Sequence, residues 1–167
     1  MQFLDFFHNK ISDLNFFKTL DQKISQNEKV INISMLTEPV KTLVLSWLFK
    51  KYNRNVFFIT SGNIYIEKYF YNLQFFTDDN FIKKFPDLNT LPYDNTSPGI
   101  DIVNSRIETL YALVNNTASI YLTSIQALSR KIINPKDFIN KIIELKRGSS
   151  YNISAMIRRF TELGYNH

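Results

Sequence analysis

Short apolar runs of strand length alternate along this chain with segments of helical period, and that alternation is the strongest constraint on its fold. Val30–Ile33, Asn55–Thr60, Phe81–Phe85 and Ser119–Thr123 read as strands. Between the first two, Val40, Leu43, Val44, Trp47 and Leu48 fall on one helix face, with Pro39 suited to the first turn, where its missing N–H costs nothing. Asn63–Phe76 reads as a second helix, and Ile107, Leu110, Tyr111 and Val114 mark a third before the last of these strands. Residues 1–27 give one or two amphipathic helices, and a short helix runs through Arg130. Strand and helix alternating four times predicts an α/β fold with a largely parallel sheet.

The pattern shifts after Pro135. Ile142–Lys146 reads as a further strand ending at Gly148. A last helix carries Ile153, Met156, Ile157 and Phe160 on one face, capped by Ser149 or Ser150, with Gly164 as its C-terminal glycine. This divides the chain into residues 1–134 and 135–167. Trp47, on the apolar helix face, is a core residue.

Several chemistries are excluded by residue type. The chain has no cysteine, and its two histidines, His8 and His167, lie at opposite ends, so thiolate metal sites and a histidine-based triad have no basis. The loop carboxylates Asp78, Asp79, Asp87, Asp94 and Asp101 lack EF-hand spacing and read as turn and cap residues. The net charge of +5 is spread along the chain, which permits nucleic-acid contact without arguing for it. Lys146-Arg147 reads as a solvated pair. The N-terminus lacks the pattern of a signal peptide, and no apolar run approaches the roughly 20 residues that span a bilayer, so the expectation is a cytoplasmic protein with no membrane partner.

One ordered set of residues is more specific. Leu91-Pro92-Tyr93-Asp94, Ser97-Pro98, Asp101-Ile102, Ser105-Arg106 and Thr109-Leu110-Tyr111 are followed by Ala127-Leu128, Arg130, the LKRG step at 145–148 and Leu163-Gly164-Tyr165. In order, spacing and identity this set resembles the N-terminal, UvrB-like module of bacterial transcription-repair coupling factors (Mfd). The bottom-up reading of the same residues is structural. Tyr93 reads as a loop tyrosine that packs its ring and bonds its hydroxyl, in preference to a base-stacking aromatic. Arg106 ties the loop to its helix through a carboxylate or a backbone carbonyl.

The resemblance implies an incomplete RecA/UvrB-like parallel sheet over residues 1–134, and the start of a small α+β domain of the UvrA/UvrB-interaction type over residues 135–167. It implies a truncated polypeptide, a scaffold that recruits UvrA in transcription-coupled nucleotide excision repair. The principal UvrA contacts would lie past His167. RNA polymerase and DNA would be engaged by missing domains, and ATP would belong to missing motors, so this chain would be neither an enzyme nor a cofactor binder. In the family a later segment completes the sheet begun here; the isolated chain is therefore expected to be marginal, aggregating or in need of a partner. Related UvrB proteins carry a phosphate loop, GxTGSGKT, where this chain has Met35 to Thr42. Thr37, Lys41 and Thr42 match as vestiges, while Met35, Glu38 and Val40 replace all three glycines and their permissive backbone. Only Gly99 and Ile100 separate Ser97-Pro98 from Asp101-Ile102, too few for the DNA-gripping hairpin of UvrB. The alternatives are a stand-alone UvrB-like adaptor and an active UvrB- or helicase-type ATPase.

Overall fold

In the computed structural model, residues 2–90, 97–143 and 145–162 are described, the side chains of the first few excepted. They form two compact units, residues 1–130 and 131–167. The first holds helices α1 (Gln2–Ser12), α2 (Asn15–Ser25) and α3 (Glu38–Tyr52), strand β1 (Val56–Thr60) and helix α4 (Asn63–Leu73). Strand β2 (Ile82–Phe85), helix α5 (Ile100–Val114), strand β3 (Ile120–Ser124) and the short α6 (Ile125–Ser129) complete it. The sheet is parallel, in the order β1-β3-β2. Val56 and Ile82 both align with Ile120, on opposite sides of the central strand. The α/β class expected from the alternation is the one observed, and a three-stranded parallel sheet flanked by helices fits an incomplete RecA/UvrB-like fold.

The central strand is buried along its whole length, because it has a neighbour on each side and helices over it. Ile66, Tyr69 and Leu73 of α4 and Leu45 and Phe49 of α3 meet Ile82, Ile120 and Leu122 in one core cluster. A second cluster joins Val44 and Trp47 of α3 to Ile11, Phe17 and Leu20. Helix α3 thus buries two faces. The periodicity found only the one turned toward α1 and α2; Leu45 and Phe49 reach the sheet from the other side. Trp47 is 1% exposed and donates its indole N–H to Ser12 Oγ at 2.8 Å.

Three expectations are corrected. Val30–Ile33 is not a strand: among the described residues no ladder partner meets it, and Val30 is 74% exposed. Its apolar content serves packing instead, with Ile31 and Leu36 resting on the α1–α3 cluster. Ile142, Ile143, Leu145 and Lys146, the described residues of the second expected run, lie in no strand either; Ile142 ends helix α7 (Pro135–Lys141), its N–H donating to the Ile139 carbonyl. Finally, helix α8 (Ile153–Glu162) is capped by neither Ser149 nor Ser150, since Asn152 Oδ1 accepts the Ala155 N–H at 3.0 Å. A strand needs a neighbour to complete its hydrogen bonds, and apolar content alone does not supply one.

The second unit, residues 131–167, contains α7 and α8 and buries none of its described residues. It carries seven Lys and Arg against three Asp and Glu, a net +4, while residues 1–130 carry thirteen against twelve. The basic excess is therefore gathered rather than spread. No helix among the described residues is long and apolar enough to cross a membrane.

Candidate functional site

In parallel sheets ligands and partners gather at the carboxyl ends of the strands, where loops diverge. Here β2 leaves the sheet at Phe85 and Pro86 and leads into the segment that carries the LPYD motif. Pro86 lacks the N–H that would continue a ladder, so the chain must turn away. Leu91, Pro92, Tyr93 and Asp94 themselves lie outside the described residues, as do Gly164 and Tyr165. What the structure shows is the anchorage ahead of the motif.

That anchorage is a series of captured carbonyls. Thr109 Oγ1 of α5 lies 2.6 Å from the Lys84 carbonyl, and Thr123 Oγ1 of β3 donates to the Phe85 carbonyl at 2.9 Å. Arg106 Nη1 donates to the Pro86 carbonyl at 2.6 Å, with its guanidinium carbon 3.8 Å from the centroid of the Phe85 ring. Asn63, the first residue of α4, clamps Asp87 from both sides, accepting its N–H and donating to its carbonyl, each at 2.8 Å. Arg130 completes the series, donating from Nη2 to the Thr90 carbonyl at 2.6 Å and from Nε to Asp87 Oδ1 at 2.6 Å. Asp87 Oδ2 accepts the Asn89 N–H at 3.0 Å, an Asx-type turn that holds Asn89 in the left-handed region. Donors from α4, α5, β3 and the end of α6 therefore fix one short stretch of main chain.

Electrostatics follows from the same contacts. Burial by itself would raise the Asp87 carboxyl. The Arg130 guanidinium and the N–H groups of Asn89 and Leu88 outweigh that and hold it below the usual carboxylate range. Arg106 is drawn below the usual arginine value, by burial first and then by Arg130, while Asp87 opposes the shift. Of the two routes open to Arg106 in the sequence, the carbonyl is the one taken. Asp78 accepts the Asn80 N–H in a cap, as its loop position suggested, and Asp101 lies in the first turn of α5.

A cleft of about 280 Å³ lies beside this anchorage, lined in part by Asn63, Glu67, Lys84, Pro86, Asp101 and Ser105. Two of its charges offset one another: Lys84 Nζ pairs with Glu67 at 2.9 Å and lies 4.4 Å over the Phe70 ring. Among the described residues no group of three or more His, Asp or Glu is placed to hold a metal ion.

Thr37, Lys41 and Thr42, the residues that the sequence sets beside a phosphate loop, lie at the start of α3. Thr42 is fully buried, and its hydroxyl donates back to the Glu38 carbonyl at 3.0 Å. Thr37 precedes α3 and makes no side-chain cap, while Pro39 removes one N–H from the helix's first turn. Glu38 pairs with Lys68 at 2.5 Å, and Lys41 is exposed. Met35 keeps a left-handed backbone, φ 59°, where the related loop has glycine, but its side chain is 99% exposed. This donor set does not fit a triphosphate: the N–H row is interrupted, a carboxylate stands at its head, and the hydroxyl suited to a metal is spent inside the helix.

Sequence reasoning picked out Arg106 and Arg130 but missed Asn63, Thr109 and Thr123. Each is an ordinary helix or strand residue in one dimension. Only the parallel crossovers bring them around residues 84–90.

No protein-family model matches the chain. Curated proteins do. A transcription-repair-coupling factor of Haemophilus influenzae is 33% identical over 81 residues, 48% of this chain and 7% of that protein. One from Rickettsia typhi is 41% identical over 68 residues, 40% of this chain and 6% of that protein. One from Staphylococcus epidermidis is 22% identical over 160 residues, 94% of this chain and 13% of that protein. The similarity is to transcription-repair-coupling factors. The 167 residues span a small part of each relative's length.

Proposed function

We propose that this chain serves as a non-catalytic scaffold in transcription-coupled nucleotide excision repair, and that it carries the beginning of a surface on which UvrA docks. The similarity to transcription-repair-coupling factors carries the reading. Two features support the finer part of it. The Met35–Thr42 segment has its row of amides broken at Pro39 and its Thr42 hydroxyl bonded within the helix, which argues for docking over ATP hydrolysis. The α7–α8 unit is basic and exposes Ile139, Leu145, Ile153 and Ile157, so it offers apolar contact within a positive field. Contacts to RNA polymerase, DNA and ATP belong, in this reading, to other parts of such a protein.

The test uses the full 167-residue chain, labelled fluorescently and titrated with purified UvrA, and in parallel with an ATP analogue. Saturable UvrA binding that is lost in Arg158→Glu/Arg159→Glu, with no saturable nucleotide binding, is the expected result. Nucleotide binding abolished by Lys41→Ala would replace the scaffold reading with that of an ATPase. Absence of any UvrA binding would remove the docking role.

A further inference from the structure

One titratable side chain lies buried where α1 meets α3. His8 is 4% exposed, and its Nε2 lies 2.9 Å from Ser46 Oγ of α3. Ser46, also buried, is a junction. Its hydroxyl donates to the Phe76 carbonyl at 3.1 Å and accepts from the Thr77 hydroxyl at 2.9 Å. A hydroxyl has one proton and two lone pairs. Here the proton is committed to a carbonyl, which can only accept, so the His8 ring must bring the hydrogen of its own bond. In the neutral imidazole that hydrogen sits on Nε2, and a proton taken up at lower pH goes to Nδ1.

The same stretch of α1 seats the helix. The Phe7 ring stacks on Phe76 at 6.1 Å. Ser12 donates to the His8 carbonyl at 2.8 Å while it accepts the Trp47 indole N–H, and Ile11 packs with Val44 and Trp47. Within one helical turn of His8, Ser46 and Thr77, the charged residues are Asp5 and Lys10 on α1, Lys50 on α3, and Asp78 and Asp79 after α4. The last four are exposed; Asp78 accepts the Asn80 N–H, and Asp79 accepts from the Gln74 amide. As classes, carboxylates and lysines titrate outside the interval from about pH 7.5 to about 5.5, and histidine within it. A charge at a site this dry is costly, whereas water solvates the imidazolium of a released helix. Protonation therefore favours the released form. The sign is that of a buried neutral base: α1 is held fully above the ordinary histidine value, about 6.5, and its hold weakens as pH falls below it.

We propose that His8 is a pH-sensitive latch, whose protonation releases α1 from α3 and from the turn after α4 and uncovers the apolar face around Trp47. A single group sets the limit, at most about a tenfold rise in the released fraction per pH unit.

The full chain tests this, with Trp47 emission and the His8 ring, by NMR, followed from about pH 7.5 to about 5.5. At the upper end the ring should be neutral, with its hydrogen on Nε2. As pH falls, Trp47 emission should shift to the red, and the amides from Phe7 to Ser12 should lose protection once intrinsic exchange is allowed for. Both changes should follow the charging of the ring, while the amides of β3 stay protected. His8→Gln, which keeps a donor and cannot charge, should abolish the red shift, and His167→Gln should leave it. A red shift that persists in folded His8→Gln overturns the proposal. Where that variant does not fold, the wild-type ring decides alone. A ring already charged at the upper end overturns the latch, as does one that charges, or stays neutral to the lower end, while Trp47 emission does not move.

Discussion

Replacing Arg130 by alanine should loosen the entry to the LPYD segment and destabilise residues 1–130 by about 2 kcal/mol. The figure follows from what is lost: the Nε bond to Asp87 Oδ1 at 2.6 Å, the weaker Nη2 contact to Oδ2 at 3.5 Å, and the bond to the Thr90 carbonyl at 2.6 Å. Hydrogen bonds to charged groups contribute roughly 1.5–3 kcal/mol. Water reaches the Arg130 side chain, 32% exposed, more readily than that of Asp87, 13% exposed, so the lower half of the range applies. Urea unfolding followed by the fluorescence of the single tryptophan, Trp47, reads the change. With a slope of about 2 kcal/mol per molar, the midpoint should fall by about 1 M. Arg130→Lys should recover less than half, because a point charge cannot hold the carboxylate and the carbonyl together. The same contacts set a pH dependence. Asp87 has a depressed pKa when folded, so its contribution is full above the unfolded carboxyl value, about 3.9, and is lost as pH falls through the lower folded value. In Arg130→Ala that acid-side loss should shrink. A midpoint moved by less than about 0.3 M, or an unchanged acid limb, would refute the view that Arg130 holds this segment.

Tyr52 donates to Asp21 at 2.5 Å, and its pKa is pushed up to about 12, by burial first and then by that carboxylate. Absorbance titration should show one tyrosine ionising near 12, and Asp21→Asn should bring that ionisation to lower pH; an unchanged titration would show that the contact is not kept. Since the described part of residues 131–167 buries nothing, trypsin should cut first at Lys131 and the exposed lysines and arginines beyond it, and leave a core that ends near residue 131, identifiable by mass. Simultaneous cleavage throughout the first unit would show that its sheet does not hold together.

Much of this protein was determined by its sequence. Periodicity placed β1, β2 and β3 and the helices between them, because a strand or helix is announced by side chains a few residues apart. The matched motif pointed to Arg106 and Arg130. Tertiary structure decided what depends on neighbours remote in the chain. Val30–Ile33 and Ile142–Lys146 have strand-like composition but no ladder partner among the described residues, and composition cannot provide one. Helix α3 needed two apolar faces because a sheet lies on one side of it and two helices on the other. Asn63, Thr109 and Thr123 became the holders of residues 84–90 only through the crossovers that bring α4, α5 and β3 to one end of the sheet. Sequence fixes which groups are present and their local conformation; folding sets their partners, because hydrogen bonds and burial depend on distances through space.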